Sequence, residues 1–366
     1  MSKYPIKQSS KEELRVIING FKSIYHIDLT LKPLTIFIGP PASGKSNVLE
    51  ALAITGYFLY KLSEKQEYVN AKVPPLAKFI RASSTRDLFH FYDIGKNIWI
   101  RLEDKELTIN YKTDDIIAIN MRDVRVKLKT SLSAFSLLTE TMPSGTAFLR
   151  YPIRLYCYER FNVLSNIVNP KGLAPKNYLS EDASNIHVVL QSYRKTIKDM
   201  NMLMKEYDVN VELKVLRDGK VIVFDSDYEL GINALSDGIF RLLYYLLAIE
   251  TNKEYSMKAQ VSRVILLFDE PTSNIYPYGL DLLVKYLKNA LGRLWYVIST
   301  HNPYLLSIIG DKIKDAAIYF TYRDEYGNTK VVEIDVNKMA EQLVSSDELL
   351  ILTPKEIFRR KLVKEH

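Results

Sequence analysis

Cysteine is almost missing from this sequence: Cys157 is the only one in 366 residues. That excludes a disulfide within the chain and any structural zinc site built on paired cysteines, and it leads to the expectation of a reducing, cytoplasmic setting. Long apolar runs are missing as well. The longest, RLLYYLLAI and VSRVILLF, are broken by charges well short of the roughly eighteen residues a membrane span needs, so no membrane segment and no membrane partner are expected. The opening stretch MSKYPIKQSSKEEL is polar and offers no export signal. Low-complexity tracts, internal repeats and long Gly/Ser/Pro linkers are absent too, so composition marks no domain boundary. Nor does one sign of charge dominate. Lys and Arg number 50 against 43 Asp and Glu, a formal excess of +7 that permits a nucleic-acid partner without requiring one.

What is present is enough apolar material for a full core, 47% of the residues. From Leu14 to Ile38 apolar runs alternate with short polar breaks and end at Gly39, a pattern that predicts strands leading into a loop. NVLEALAITGYFLYKL then has helical spacing, with Val48, Leu49, Leu52, Ala53 and Tyr57 on one side. Two hairpin patterns follow, NIWIRLEDKELTINYK and VNVELKVLRDGKVIVFD, the second with Asp218-Gly219 at its turn. Between them Ala183 to Tyr207 reads as one amphipathic helix. From Gly238 onward helix and buried strand alternate: IFRLLYYLLAIE, VILLFDE, GLDLLVKYLKNAL, LWYVIST, then a helix near Pro303. Such alternation predicts a parallel sheet covered on both faces. The expected fold class is therefore α/β, a parallel-rich sheet flanked by helices with an antiparallel β lobe and a helical insertion. The core is expected from residues 1–65 and 235–366, with the inserted lobe at roughly 66–234.

Gly39-Pro40-Pro41-Ala42-Ser43-Gly44-Lys45-Ser46 matches the phosphate-binding P-loop, and the required strand precedes it and the required helix, opening at Asn47, follows. Glycines let consecutive backbone N–H groups converge on phosphate oxygens, and the helix N-terminus adds the positive end of its dipole. In that arrangement Lys45 reaches the β and γ phosphates, and the Ser46 hydroxyl serves Mg2+, an ion that keeps several waters and takes few protein ligands. A second pattern, Val264 to Glu270, is an apolar strand that ends abruptly in two carboxylates. Asp269 is the candidate for holding Mg2+ and Glu270 for polarising the attacking water. His301 follows the predicted strand LWYVIST, a place from which it could reach the γ-phosphate. The other histidines, His26, His90, His187 and His366, carry no such context. Leu235-Ser236-Asp237-Gly238 reads locally as an N-cap before an apolar helix, and capping and anion binding use the same geometry.

Taken in order, GPPASGKSNVLEAL, LSDGIFRLL, LLFDEPTSNIYP and STHNPYLLS resemble the RecF, SMC and OLD-like branch of the ABC-type ATPases, over most of the chain. The resemblance implies ATP and Mg2+ as cofactors and a homodimer that closes on two nucleotides. It also implies that Ser236 and Gly238 of one copy meet the γ-phosphate held by the other, and that Ser273-Asn274 forms the loop joining the two sites. The signature LSDGI lacks the second glycine and following glutamine of transporter ATPases, which disfavours a transporter engine. The implied role is a switch or clamp in DNA maintenance, repair or defence against foreign DNA. The alternative is an ATP-dependent regulatory partner of another protein, such as an effector nuclease. For double-stranded DNA the candidates are Arg125, Lys127 and Lys129, which alternate with apolar residues in a predicted strand, together with Arg359, Arg360, Lys361 and Lys364.

Overall fold

The uninterrupted apolar run that ends at Gly39 becomes the centre of the molecule. In the computed structural model, strand β3 (Leu34–Ile38) is buried throughout, as suits a strand covered on both faces. The structure describes residues 13–61, 80–113, 116–121, 124–131, 134–141, 149, 151–159, 163, 178–217, 221–230, 236–313 and 315–364. The turn residues Asp218 and Gly219 lie outside them.

Three strands open the chain: β1 (Leu14–Phe21), β2 (Ile24–Leu31) and β3. The P-loop and helix α1 (Lys45–Gly56) follow. An antiparallel run comes next: β4 (Ile98–Leu102), β5 (Lys105–Thr113), β6 (Ile116–Met121), β7 (Val124–Ser131) and β8 (Ala134–Thr141). Strand β9 (Ile153–Tyr156) leads to helices α2 (Ile186–Ser192) and α3 (Arg194–Glu206), then to β10 (Val211–Val215), β11 (Val221–Asp225) and β12 (Tyr228–Leu230). The last part alternates α4 (Asp237–Lys258), β13 (Val264–Asp269), α5 (Pro277–Ala290), β14 (Leu294–Ser299), α6 (Pro303–Lys312), β15 (Ala317–Arg323) and β16 (Thr329–Glu333). Three short helices, α7 (Val336–Glu341), α8 (Ser346–Ile351) and α9 (Pro354–Arg359), follow it.

These strands form three sheets. The core sheet runs β16-β15-β3-β14-β13-β9 and is parallel except at β16. A seven-stranded antiparallel sheet runs β2-β1-β4-β5-β6-β7-β8, and a small one runs β10-β11-β12. Alternation along each core strand sorts its side chains between two apolar clusters. Ile36, Leu266, Phe268 and Ile298 pack with α4, α5 and α6 on one face. Phe37, Ile265, Leu267 and Val297 pack on the other face with α1 and with β1, β2, β4 and β5. Helix α1 therefore lies between two sheets, which explains why its residues from Val48 to Gly56 are all buried.

The expected α/β class with a parallel-rich sheet is what the chain adopts. Two details differ from the sequence reading. The helix expected over Ala183 to Tyr207 is two helices, broken at Tyr193, whose φ of −105° and ψ of 43° leave the helical region. Apolar spacing continues across the break, so periodicity alone does not reveal it. The antiparallel strands are also less peripheral than expected: β4 pairs with β1 and β5 with β4, and β9 joins the core sheet beside β13. Strands from within the span 66–234 thus belong to both large sheets.

Candidate functional site

Strand β14 lies between β3 and β13, so the P-loop, the Ser299–His301 segment and the Asp269-Glu270 pair all emerge at one edge, beyond the C-terminal ends of three neighbouring parallel strands. Ligands of open α/β sheets bind at that edge.

The P-loop is held from outside as well as by its own turn. Ser43 N–H donates to the Pro40 carbonyl at 3.3 Å, Arg323 Nε to the Ala42 carbonyl at 2.9 Å, and Thr329 Oγ1 to the Ser43 carbonyl at 3.2 Å. Gly44 precedes α1 with φ of 108°, and a Cβ there would fall 2.1 Å from Thr329 Oγ1, so both conformation and space demand glycine. Lys45 Nζ reaches back across the loop to the carbonyls of Gly39 at 2.7 Å and Pro40 at 3.1 Å. Burial pushes the Lys45 ammonium below the ordinary lysine range, with Glu270 and Asp269 pulling the other way. Asn47 ties the start of α1 to the β1–β2 turn, donating to Ser23 Oγ at 2.6 Å.

Asp269 is the hub. Its Oδ1 accepts from Ser46 Oγ at 2.9 Å and from Ser299 Oγ at 2.6 Å, which joins the ends of β13 and β14 to the first turn of α1. Glu270, next in sequence, sits in the left-handed region with φ of 48°, a costly conformation for a non-glycine residue that concentrates at functional sites. Its N–H donates to Ser299 Oγ at 3.1 Å. Its Oε2 lies 2.9 Å from Nδ1 of His301, yet that oxygen is buried and has no aligned hydrogen-bond partner. His301 itself is exposed.

Three further residues belong here that the sequence reading missed. Glu50, fully buried and one helical turn after Ser46, binds Lys22 Nζ and accepts from Arg81 Nε at 3.0 Å. Arg81 also places a guanidinium nitrogen 3.9 Å from Asp269 Oδ2. An acidic residue within the apolar run VLEALAI is the one sequence signal for this cluster; Lys22 and Arg81 gave none. Beside it opens a cleft of about 660 Å3 lined by Lys22, Arg81 and Arg323 with the aromatic side chains of Phe91 and Tyr92.

Ser236 stands at the N-cap of α4, exposed and making no capping bond. A Cβ on Gly238 would fall 2.1 Å from the Asn274 carbonyl, and Asn274 Nδ2 donates to Asp237 Oδ2 at 3.2 Å. Burial alone would raise the Asp237 carboxyl, but the hydrogen bonds from Asn274 and Arg241 hold it below the usual carboxylate range. The signature segment is thus fastened to the loop after β13. Among the described residues, no hydrogen bond or ion pair joins it to the P-loop of its own chain.

Of the basic candidates, Arg125, Lys127 and Lys129 do lie in a strand, β7, paired with β6 and β8; their side chains lie outside the described part of the structure. At the C-terminal end Arg360 pairs with Glu348 at 2.5 Å and Lys364 with Glu333, so the tail offers less unneutralised charge than its sequence suggests.

Strand order, P-loop and carboxylate strand have the arrangement of a P-loop nucleotide-binding core. Residues 164–307 match the family model described as "AAA domain, putative AbiEii toxin, Type IV TA system". No curated protein matches the sequence. Among solved structures the chain is similar to an SMC head bound to the C-winged helix domain of ScpA, at 12% identity and a TM-score of 0.45, covering 88% of this chain and 98% of that one. It is similar to the SMC head domain from Thermotoga maritima at 14% identity and TM-score 0.41, with the same coverage. A third is an Smc head with an extended coiled coil, bound to the C-terminal domain of ScpA derived from Pyrococcus furiosus. That match has 13% identity and a TM-score of 0.46, covering 90% and 98%. No described helix is long and apolar enough to cross a membrane.

Proposed function

We propose that the chain binds and hydrolyses ATP and closes as a homodimer, Ser236 and Gly238 of one copy completing the site of the other. The observation that carries this reading is the bonding of Ser46 and Ser299 to one carboxylate, Asp269, beside a glycine-built loop and a glutamate with an unsatisfied buried oxygen. The residues suit Mg2+. Ser46 and Asp269 offer hard oxygen atoms on adjacent elements, the kind of donor that Mg2+ takes from a protein in ones or twos. Ser46 and Asp269 would hold it, where it would supply positive charge to the phosphate oxygens.

The chain's own groups do the rest. The N–H groups of residues 42–46 cradle phosphate at the start of α1, and Lys45 exchanges its two loop carbonyls for phosphate oxygens. Glu270 orients and polarises the attacking water, its backbone held by Ser299. His301, beside Glu270 and open to solvent, meets the γ-phosphate side. Arg81 adds positive charge next to Asp269. The cleft lined by Phe91 and Tyr92 offers an aromatic surface on which a base could rest.

The role proposed for this switch is in DNA maintenance or in defence against foreign DNA. It is supported by the motif resemblance, the basic excess and the alternation of Arg125, Lys127 and Lys129 along β7. The alternative reading is a role as ATP-dependent regulatory partner of another protein.

The test is mass in solution. Glu270→Gln keeps shape and ligand binding while removing the polarising carboxylate, so light scattering with ATP should show monomer converting to a stable dimer. Ser236→Arg added to it should abolish the dimer. An unchanged mass with ATP bound would refute closure.

A further inference from the structure

Helix α3 has two working faces. One is stitched to the nucleotide core: Tyr193 binds Glu254 of α4, Asp199 accepts from Tyr286 of α5 at 2.7 Å, and the Tyr207 ring stacks on Tyr278 at 4.2 Å. Further inward Ile197, Met200 and Met204 join the main apolar cluster. The other face, opposite this stitching, forms a wall of a groove of about 760 Å3 against β10 and β11.

The chemistry of that groove is two-sided. Arg194, Lys198 and Lys205 recur at helical spacing along it, all exposed. Among the described residues none of the three forms an ion pair, whereas Glu212, the one acid on the lining, is taken by Lys214 at 3.2 Å. Between the cations lie Met202, 60% exposed, with Val209, Val211 and Phe224. Asn201 closes the neighbouring edge of β10 by bonding both the N–H and the carbonyl of Leu213 at 2.9 Å, so an occupant cannot simply extend this sheet there.

We infer that this groove docks an acidic, apolar-anchored segment of a partner protein. Charge complementarity selects the acid: an occupant with carboxylates on one face meets three unneutralised cations. The apolar lining selects a peptide over a nucleic acid, because phosphate backbones recruit cations and donors but leave Met202, Val211 and Phe224 without a match. Because the opposite face of α3 grips α4 and α5, docking would bear on the helices that carry the signature segment and follow the carboxylate strand. The inference does not depend on ATP hydrolysis.

The probe is a fluorescein-labelled amphipathic peptide of about twelve residues, glutamates on one face and leucines on the other, titrated by anisotropy against the full chain. It should bind more tightly than its glutamine counterpart. Lys198→Glu with Lys205→Glu should weaken it by at least about tenfold, and a lysine-faced peptide should then bind in its place. Met202→Asp should weaken it as well, while Lys285→Glu, an exposed reversal on α5, should leave it unchanged. Equal affinity for the acidic and glutamine peptides, or equal loss in Lys285→Glu, would overturn the proposal. So would a labelled DNA duplex that binds in preference and is released by the same double reversal, which would make the groove a phosphate track.

Discussion

Glu270 combines a left-handed backbone with a buried oxygen that lies beside His301 without an aligned hydrogen bond, two costs of the kind that gather at functional sites. A carboxylate placed to polarise water accounts for both. In Glu270→Gln, phosphate release should fall by at least about a hundredfold while ATP affinity changes little, as seen by comparing single-turnover hydrolysis with equilibrium nucleotide binding. Lys45 gives a pH prediction. Because burial lowers its pKa, the ammonium is charged below that value and neutral above it. ATP affinity should therefore decline as pH rises, beginning below the ordinary lysine range, and Lys45→Ala should start weak and lack this decline. Residues in contiguous patterns, such as Lys45, Ser46, Asp269 and Glu270, were legible in the sequence. Glu50, Lys22 and Arg81 were not, since their meaning lies in contacts that join distant positions.

At the scale of elements, the N-terminus of α4 is set by one close approach. Gly238 has no room for a methyl group beside the Asn274 carbonyl, so Gly238→Ala should push the helix start away from the loop that follows β13. Urea unfolding should show a loss of about 1–3 kcal/mol from overpacking, and dimerisation with ATP should weaken beyond what that loss explains. Strand and helix order from Gly238 onward was readable because buried parallel strands are continuous apolar runs. The break at Tyr193 was not, since both helices turn the same apolar stripe inward and only the backbone angles separate them. Sheet membership was illegible for a related reason: β9 is apolar enough for any interior, and nothing local says that it pairs with β13, more than a hundred residues away.

For the whole molecule, ligand binding and association should appear together in thermal stability. Saturating ATP with Mg2+, at about a hundred times the dissociation constant, contributes roughly 2.7 kcal/mol by mass action alone. In the Glu270→Gln protein the melting temperature with ATP should also rise with protein concentration, because closure couples two chains. Ser236→Arg should keep the ligand effect and lose the concentration dependence. Scanning calorimetry at several protein concentrations separates the two.

The ends of β3, β14 and β13 lie side by side, spaced by about 4.8 Å between neighbouring strands. Phosphate cradle, serine bridge and carboxylate pair are therefore set into a single hydrogen-bonded fabric that cannot stretch one without dragging the others. Such a set of groups keeps its spacing as one body. Whatever timing this protein exerts must be written in arrivals and departures at its open side, much as a lock with a fixed plate is governed by the key.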